Sequence, residues 1–527
     1  MNGNTESGPA GGSGDLDPAS LQVLISRLTS VADEMGMVLR RSAFSPNIKE
    51  RADCSAALFT ADGRLLVQAE HIPVHLGAMP ASVEAVISSL SGPPEPGVDY
   101  IVNDPFAGGT HLNDITVITP CHDGDRLIGW AANRAHHADV GGSAPGSIPA
   151  DATEIFQEGL RIPPMRLTPE VRTLLFANSR TPRERAGDLD AQIGANRVGV
   201  ERLRRFASEP MEEVIAYGRR RMEAALAALP DGTWSFEDVV DSFGPDPDQQ
   251  QPGTIRVTVT KKGTRIVFDF TGTDAQRRGN VSAVEAVTVS AVAFALRSAV
   301  DPTIPASAGS SDPLEIVVPP GTIVSAEYPG AVGAGNVEVS QRIADVCLGA
   351  LDAAWPGRTT AANQGTMNNV LIGGSAPEPW VYYETIGGGQ GARPDRDGMS
   401  GVHTVMTNTR NTPVEALERA YPVRVRRLAL RRGSGGGGRT RGGEGIEREV
   451  EILEDATVSL ITERRSSRPW GLAGGEPGAA GENSLLPQGN ESRVEHLPDK
   501  CTIQLNAGDV LRLLTPGGGG WGEPTPD

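Results

Sequence analysis

The stretch Asn103–Pro120, NDPFAGGTHLNDITVITP, carries a histidine and an aspartate three residues apart, where a glycine turn gives way to an apolar strand. In such a turn the side chains of His111 and Asp114 can point to the same side, whereas in a continuing strand they would face opposite ways. A bound divalent ion needs several ligands that converge from different elements. The turn therefore predicts one part of a metal site.

Further candidate ligands flank this turn. Downstream, LIGWAANRAHHADVGG is typical of a buried strand that ends in His136 and His137, and neighbouring strand side chains face opposite surfaces, so only one can easily reach the ion. Upstream, Glu50 begins a predicted hairpin strand, where a charge is either solvated or functional. A shell of Glu, Asp and two His suits zinc, manganese or iron better than calcium or magnesium, because imidazole favours the softer metals.

Structural roles compete with metal binding at these positions. A histidine beside an aspartate is usually a hydrogen-bonded pair or a turn cap. The pair His136 and His137 is a stronger signal, since burying two imidazoles without partners would cost a few kcal/mol. Spacing alone leaves both interpretations open.

Composition excludes several classes of function. The chain has 527 residues, enough for two or three domains, and a net charge of −18, which argues against nucleic acid or an anionic membrane as partner. The four cysteines show no CxxC spacing, and the amino terminus lacks the features of a signal peptide. The longest apolar stretch, residues 286–300, is too short to span a bilayer. These features predict a cytoplasmic protein.

The pattern of residues predicts a mixed α+β fold with three parts. Residues 1–16 form a flexible tail, residues 17–229 a metal-binding α+β region with a helical C-terminal part, and residues 230–527 a strand-rich, glycine-rich region with interspersed helices. An amphipathic helix is expected from Pro18, with Asp17 as its cap. A hairpin should follow around the turn at residues 61–63, and a second helix should begin at Pro80. Flexible surface loops are the expected form of the glycine clusters, none of which matches a phosphate-binding loop.

Six segments together carry a family resemblance. They are FSPNIKERADCSAALF, NDPFAGGTHLNDITVITP, RAHHADVGG, GDLDAQIGANRVGVERL, NTRNTPVEALE and SGGGGRTRGGEG. In this order they resemble the hydantoinase B/oxoprolinase family, which includes the B-type chains of N-methylhydantoinase and caprolactamase and related chains of acetone and acetophenone carboxylases. The resemblance runs from about residue 17 to the end of the sequence.

The resemblance implies an enzyme split between two polypeptides. An A-type (hydantoinase A) subunit with an actin-like ATPase fold would bind ATP, and the B-type chain would carry the divalent metal, in a hetero-oligomer with more than one copy of each. The family's metal ligands fall on Glu50, His111, Asp114 and His136, and this match selects His136 over His137. The absence of a phosphate-binding loop here agrees with that division.

The implied reaction is the ATP-dependent opening of a cyclic amide, such as a hydantoin, 5-oxoproline or another lactam. One alternative is a component of a ketone carboxylase that uses bicarbonate. A second is a non-catalytic chain that only stabilises an A-type ATPase.

Other polar residues are weaker candidates for the site. Asp104 and Asp139 could orient the ligating imidazoles, or could be solvated turn residues. Arg134 could contact an anionic intermediate, or form an internal ion pair. His137 belongs to the same pocket. The remaining candidates are His71 and His75, which could flank a substrate cavity or bond at a helix start, and His403, Asn408 and Glu415, which have no assigned role.

Overall fold

The computed structural model describes residues 16–69, 72–375 and 378–524. The predicted tail, apart from Leu16, and His71 lie outside the described residues. The α-helices are α1 (Pro18–Ser42), α2 (Pro46–Lys49), α3 (Ala78–Ser89), α4 (Pro169–Asn178), α5 (Pro182–Leu203), α6 (Glu212–Ala227), α7 (Glu285–Val300), α8 (Ala308–Ser311), α9 (Ser340–Ala354) and α10 (Val414–Ala420). A π-helix, Gly335–Val339, leads directly into α9.

The strands form four sheets in the described part of the chain. They are β1 (Cys54–Thr60), β2 (Leu65–Ala69), β3 (Tyr100–Val102), β4 (Asp114–Asp123), β5 (Arg126–His136), β6 (Met165–Arg166), β7 (Gly232–Val240), β8 (Gly253–Lys262), β9 (Arg265–Asp269), β10 (Leu314–Val317), β11 (Asn369–Gly374), β12 (Trp380–Glu384), β13 (Val423–Arg431), β14 (Gly445–Ile452), β15 (Ala456–Ile461), β16 (Glu482–Leu486), β17 (Glu495–Leu497), β18 (Lys500–Leu505) and β19 (Val510–Leu514). Sheet one has the order β2-β1-β5-β4-β3-β6, sheet two β10-β9-β8-β7, sheet three β12-β11-β15-β18, and sheet four β13-β14-β19-β16-β17. The prediction of a mixed α and β fold is confirmed.

The amino-terminal elements follow the sequence pattern closely. The carboxylate of Asp17 accepts hydrogen bonds from the backbone N–H groups of Ala19 and Ser20, so it caps α1 as predicted. The hairpin is confirmed, because β1 and β2 pair antiparallel around residues 61–63. Helix α3 begins at Ala78, two residues before the predicted start. None of the described helices has the length and apolar character needed to cross a membrane.

One apolar core joins the two regions that the sequence separates near residue 230. Buried side chains from Ile72 to Ile461 form a continuous cluster, which includes Leu112 and Ile115 beside the histidine turn and Val346 on α9. The boundary itself falls just before β7. The two-region division stays a prediction, and the shared core explains how residues from both regions can meet.

Most glycines of these clusters are buried and pack against one another, so the expectation of flexible surface loops is wrong for them. A side chain on Gly389 would place its Cβ 2.0 Å from the carbonyl oxygen of Gly443 and 2.1 Å from the backbone nitrogen of Gly518. Backbone hydrogen bonds of 2.8–2.9 Å join the three segments, from Gly443 to Gln390 and from Gly518 to Gly443. Glycine is needed here because the backbones approach too closely for any side chain.

A buried ion network stands apart from these loops, and we call it the Arg342 network. Its members come from β7, α9, the segment after β15, and the start of β18 with the residue before it: Asp238, Arg342, Asp345, Glu463, Arg464, Asp499 and Lys500. The guanidinium of Arg342 lies 3.1 Å from Asp238 and 3.2 Å from Glu463, and the Lys500 ammonium lies 2.7 Å from Glu463. Each charge in the network has an opposite charge beside it.

Candidate metal centre

The register of β4 and β5 brings the predicted aspartate and histidine together. Asp114, the first residue of β4, pairs directly with His136, the last residue of β5. His111 precedes Asp114 by three residues in the turn, and its Nδ1 lies 3.2 Å from Asp114 Oδ2. The predicted convergence of positions i and i+3 in this turn is therefore observed.

Three side chains form a group that could hold a metal ion. One potential ligand atom from each of His111, Asp114 and His136 lies within 4.8 Å of the other two, and all three residues are buried. The rings of His111 and His136 have centroids 5.0 Å apart. The spacing, burial and two-nitrogen, one-oxygen donor set fit a divalent transition metal.

A third imidazole contacts the same carboxylate. His75, at the end of the one-turn helix Pro73–His75, places Nε2 3.4 Å from Asp114 Oδ2, and its Nδ1 lies 2.9 Å from the hydroxyl of Ser55. We call His75, His111, Asp114 and His136 the Asp114 cluster. Sequence reasoning named His75 only as a residue that could flank a cavity.

Two ring nitrogens of the cluster lack partners in the part of the chain that the structure describes. Nε2 of His111 and Nε2 of His136 are buried and accept or donate no hydrogen bond among the described residues. Burying such groups unsatisfied costs about 1–3 kcal/mol each, so these nitrogens fit the binding of a ligand that the protein itself does not supply.

The cluster favours the protonation states that bind metal. Burial raises the pKa of Asp114, but the electrostatic effect of the adjacent His111 and the hydrogen-bonding contacts with the surrounding imidazoles outweigh it and hold this pKa well below its usual range. Burial lowers the pKa of His136 despite the nearby Asp114. An ionised carboxylate and a neutral imidazole are the forms that coordinate metal ions.

Glu50 is not a member of the three-residue group. It follows α2, where its backbone N–H donates to the carbonyl of Pro46, and its side chain is partly exposed. Its carboxylate has no hydrogen bond or ion pair within the described ranges. Its assignment as the fourth ligand stays a prediction.

His137 faces away from the cluster, as the alternation of strand side chains predicts. Its Nε2 lies 2.9 Å from the side-chain oxygen of Gln192 on α5. Burial lowers the pKa of His137 to about 4, which keeps the ring neutral.

Arg134 shares the face of β5 that carries His136. Its guanidinium donates to the hydroxyls of Thr116 at 2.8 Å and Ser82 at 2.7 Å, while its Nη1 has no partner among the described residues. Among the described residues, the Arg134 guanidinium forms no ion pair. Burial lowers its pKa to about 10, against the raising effect of Asp114, so the group remains a cation at neutral pH.

The carboxylates of Asp104 and Asp139 accept hydrogen bonds and form ion pairs with residues outside the Asp114 cluster. Asp104 accepts from the backbone N–H of Phe106 and lies 3.3 Å from the guanidinium of Arg161. Asp139 accepts from the guanidinium of Arg180 at 2.9 Å and from the N–H of Gly146. Their proposed influence on the ligating imidazoles stays a prediction.

The side chain that reaches His111 comes from the carboxyl-terminal region. The amide nitrogen of Asn336 lies 2.7 Å from His111 Nδ1, and Asn336 belongs to the π-helix before α9. A side chain on the preceding Gly335 would lie 2.1 Å from the carbonyl of Ser282, so glycine allows the π-helix to pack here. Single-turn π-helices occur frequently at functional sites, but nothing in the local sequence indicated this one.

Tyr383 on β12 packs against His136. The two rings stack with centroids 4.5 Å apart and an interplanar angle of 18°. The Tyr383 hydroxyl donates to Asn369, whose amide donates to the carboxyl group of Glu338 at 2.6 Å. Burial raises the pKa of Glu338 to about 8.

Comparison with known proteins identifies the family. Residues 17–524 match the sequence model of hydantoinase B/oxoprolinase. The chain belongs to this family. It is 41% identical over 519 residues to an uncharacterized protein of Methanocaldococcus jannaschii, covering 97% of this chain and 91% of that protein.

Two relatives with functional names differ in length. The chain is 38% identical over 539 residues to 5-oxoprolinase 1 of Arabidopsis thaliana, covering 96% of this chain and 42% of the relative. It is 31% identical over 540 residues to a Pseudomonas protein named as the B-type component of a D-/L-hydantoinase, covering 97% of this chain and 90% of the relative. The chain thus spans about two fifths of the plant 5-oxoprolinase but nearly all of the hydantoinase component.

Two solved structures share the fold. The ATP-dependent caprolactamase from Pseudomonas jessenii superposes with a TM-score of 0.90 at 26% identity, covering 97% of this chain and 92% of that one. A nucleotide-free acetone carboxylase superposes with a TM-score of 0.88 at 21% identity, covering 96% of this chain and 76% of that one. The names of the relatives indicate a cyclic-amide hydrolase.

Proposed function

We propose that this chain is the metal-bearing, B-type component of a two-component, ATP-dependent hydrolase that opens a hydantoin, 5-oxoproline or another lactam. The observation that carries the proposal is the buried group of His111, Asp114 and His136, with unpartnered ring nitrogens, in a chain of the hydantoinase B/oxoprolinase family. When bound, a zinc, manganese or iron ion would supply a Lewis acid for the amide carbonyl. Glu50 is proposed as the fourth ligand.

The residues around the ion would have separate tasks. Asn336 would hold the His111 ring through Nδ1, and Tyr383 would hold the His136 ring by stacking. Arg134 would keep a positive charge next to the carboxylate of Asp114 and offer Nη1 to an anionic group. His137 would support the opposite face of β5.

The proposed partner is an A-type ATPase that binds ATP. The relative named as a B-type hydantoinase component supports a division between polypeptides, and the longer 5-oxoprolinases leave room for further regions in one chain. The complex would be a hetero-oligomer with more than one copy of each component. Four buried free cysteines support a location in the reducing cytoplasm.

Reconstitution tests the proposal. The chain is co-expressed with an A-type partner, and ATP hydrolysis is measured with hydantoin, 5-oxoproline, ε-caprolactam, or a ketone with bicarbonate. We expect ring opening that depends on ATP, a bound transition metal, and loss of both metal and turnover in Glu50→Ala and His136→Ala. No bound metal, or unchanged turnover in folded variants, would contradict the proposal.

The same panel separates the alternatives. Consumption of a ketone that requires bicarbonate would identify a carboxylase component. Turnover of a cyclic amide by the isolated A-type partner would identify this chain as a non-catalytic assembly component.

A further inference from the structure

A cavity of about 310 Å³ adjoins the helix that carries His75. Ile72 and Pro73 form part of its wall, together with Phe294 of α7. Its polar wall includes Gln68 of β2 and His403 in the segment 403–408. The volume falls at the lower end of the range for small-molecule sites, about 300–1,000 Å³.

Short contacts connect this cavity to the Asp114 cluster. The backbone N–H of Val74 donates to the carbonyl of Met406, which fixes the one-turn helix against the segment 403–408. The last residue of that helix, His75, contacts Asp114. Gln68 pairs across the sheet with Ala57, two residues from Ser55, so it shares the sheet face from which Ser55 contacts His75.

Gln68 is a buried amide that has no partner within residues 16–69, 72–375 and 378–524. The residue is only 5% exposed, and neither its side-chain oxygen nor its nitrogen makes a hydrogen bond among the described residues. Leaving such groups unsatisfied destabilises the folded chain. Because the side-chain oxygen and nitrogen of Gln68 lie in a cavity wall, they are available to a polar ligand.

His403 presents a second unsatisfied polar group to the same cavity. Apart from a contact with Asn411 that falls outside hydrogen-bond geometry, neither ring nitrogen has a partner in the described part of the chain. Burial lowers its pKa to about 4, and the charge of Arg51 acts in the same direction, so the ring is neutral at pH 7. A neutral imidazole can donate one hydrogen bond and accept another.

We propose that this cavity binds the substrate ring, and that Gln68 recognises the cis amide edge that distinguishes a cyclic amide from other small rings. The inference rests on the proposed function. The Gln68 side-chain oxygen accepts from the ring N–H, and its nitrogen donates to the adjacent ring carbonyl. His403 bonds a second polar group of the ring, such as the other carbonyl of a hydantoin.

The chemical reason is the matched geometry of two amides. A primary amide carries a donor and an acceptor side by side, and so does a ring amide, because the ring forces its N–H and C=O onto the same edge. Two parallel hydrogen bonds can therefore form only if the ring nitrogen carries hydrogen. A ring in which every nitrogen is methylated loses one bond and leaves the Gln68 oxygen buried and unpaired.

Binding to the full-length chain tests the inference without ATP or a partner. The probes are hydantoin and 1,3-dimethylhydantoin, and ε-caprolactam and N-methylcaprolactam, titrated calorimetrically. We expect at least one ring with N–H to bind at least about tenfold more tightly than its methylated form. The reason is that methylation removes one hydrogen bond, and a loss of about 1.4 kcal/mol lowers the affinity tenfold. Gln68→Met should remove this preference, and His403→Phe should weaken hydantoin more than ε-caprolactam.

A stability measurement excludes a merely structural role for Gln68. Because Gln68→Met removes two unsatisfied buried groups, its unfolding temperature should equal or exceed that of the parent chain. Gln68→Glu retains the shape and the acceptor but loses the donor to the ring carbonyl, so it should weaken binding of the N–H ring while keeping the preference over the methylated ring. Gln504→Met, at an exposed glutamine on β18, is the matched control and should change neither property.

The inference is overturned if no N–H ring binds, if the methylated rings bind equally well, or if Gln68→Met keeps the preference. Failure of the proposed function looks different. Preferential binding by the parent chain without turnover in the reconstituted complex would contradict the proposed function alone, whereas turnover that is undiminished in Gln68→Met would contradict this inference alone.

Discussion

The Asp114 cluster and the Arg342 network are both buried, yet they differ in the groups that surround their carboxylates. In the Arg342 network, Lys500 and Arg342 neutralise Glu463 from two sides. In the Asp114 cluster, the imidazoles of His111 and His136 each keep an Nε2 without a partner among the described residues. Opposite charges in contact hold chain segments together, whereas imidazole nitrogens without a partner in a buried site remain available to a ligand.

The contrast extends to the pKa directions. Burial raises the pKa of Glu463 to about 7 although Lys500 opposes this, so that carboxyl group tolerates burial only with its partners. The Asp114 carboxylate is ionised because the imidazoles surround it. Buried carboxylates are thus surrounded by Arg and Lys in one region and by imidazoles in the other.

The largest expected effect is the loss of metal in Asp114→Asn. Changing a group that only supports a ligand typically costs 10- to 100-fold in metal affinity, so replacing the central carboxylate should cost more than about 100-fold. Metal content after dialysis against defined Zn²⁺ or Mn²⁺ measures this. His496→Gln, at an exposed histidine on β17, is the control. If Asp114→Asn retains as much bound metal as the parent chain, the Asp114 cluster does not hold the metal, and the contrast with the Arg342 network fails.

Arg342→Met should affect stability and leave the metal in place. Removing one partner of a buried ion pair typically destabilises a protein by about 3–5 kcal/mol, because the remaining charges stay buried. Urea unfolding measures the loss. The matched control is Arg396→Met, which breaks an exposed pair with Asp395 and should cost less than about 1 kcal/mol. Equal losses in the two variants would show that the network contributes no more than a surface pair.

Asn336→Ala should weaken metal binding about tenfold, because the His111 ring loses the contact that orients it. Competition with a chelator measures the affinity. Asn490→Ala, at an exposed asparagine, should leave the affinity unchanged. If Asn336→Ala binds metal as tightly as the parent chain, the carboxyl-terminal region has no role in orienting the cluster.

Glu338→Gln should have the smallest effect, a change in how stability depends on pH. The pKa of Glu338 is raised by burial to about 8, so its protonated form stabilises the folded chain fully below about pH 4.5, and this contribution is lost as the pH rises through about 8. Glutamine stays neutral throughout. The variant should unfold about 2 °C or more above the parent chain at pH 8 and close to it at pH 5.

Thermal unfolding at the two pH values measures the Glu338 effect. The relevant result is the difference between pH 5 and pH 8, because a general packing change would shift both values alike. An identical pH dependence in Glu338→Gln and the parent chain would contradict the raised pKa.

Local patterns predict the elements that carry the first part of the site. The cap at Asp17, the hairpin around residues 61–63 and the turn at His111 depend on contacts between residues close in the chain, and the structure contains all three. The expectation for the glycine clusters is wrong because their close packing involves segments more than 50 residues apart, such as Gly389 and Gly443.

The sequence by itself determined the family, the mixed fold and the pairing of His111 with Asp114, since these follow from short-range order and motif succession. Only the tertiary structure brought Asn336 to His111, His75 to Asp114 and Tyr383 to His136. It also enclosed Gln68 in the wall of the cavity that adjoins the helix of His75. The physical reason is that burial and hydrogen-bond satisfaction are properties of packed surfaces from distant segments, which no local spacing encodes.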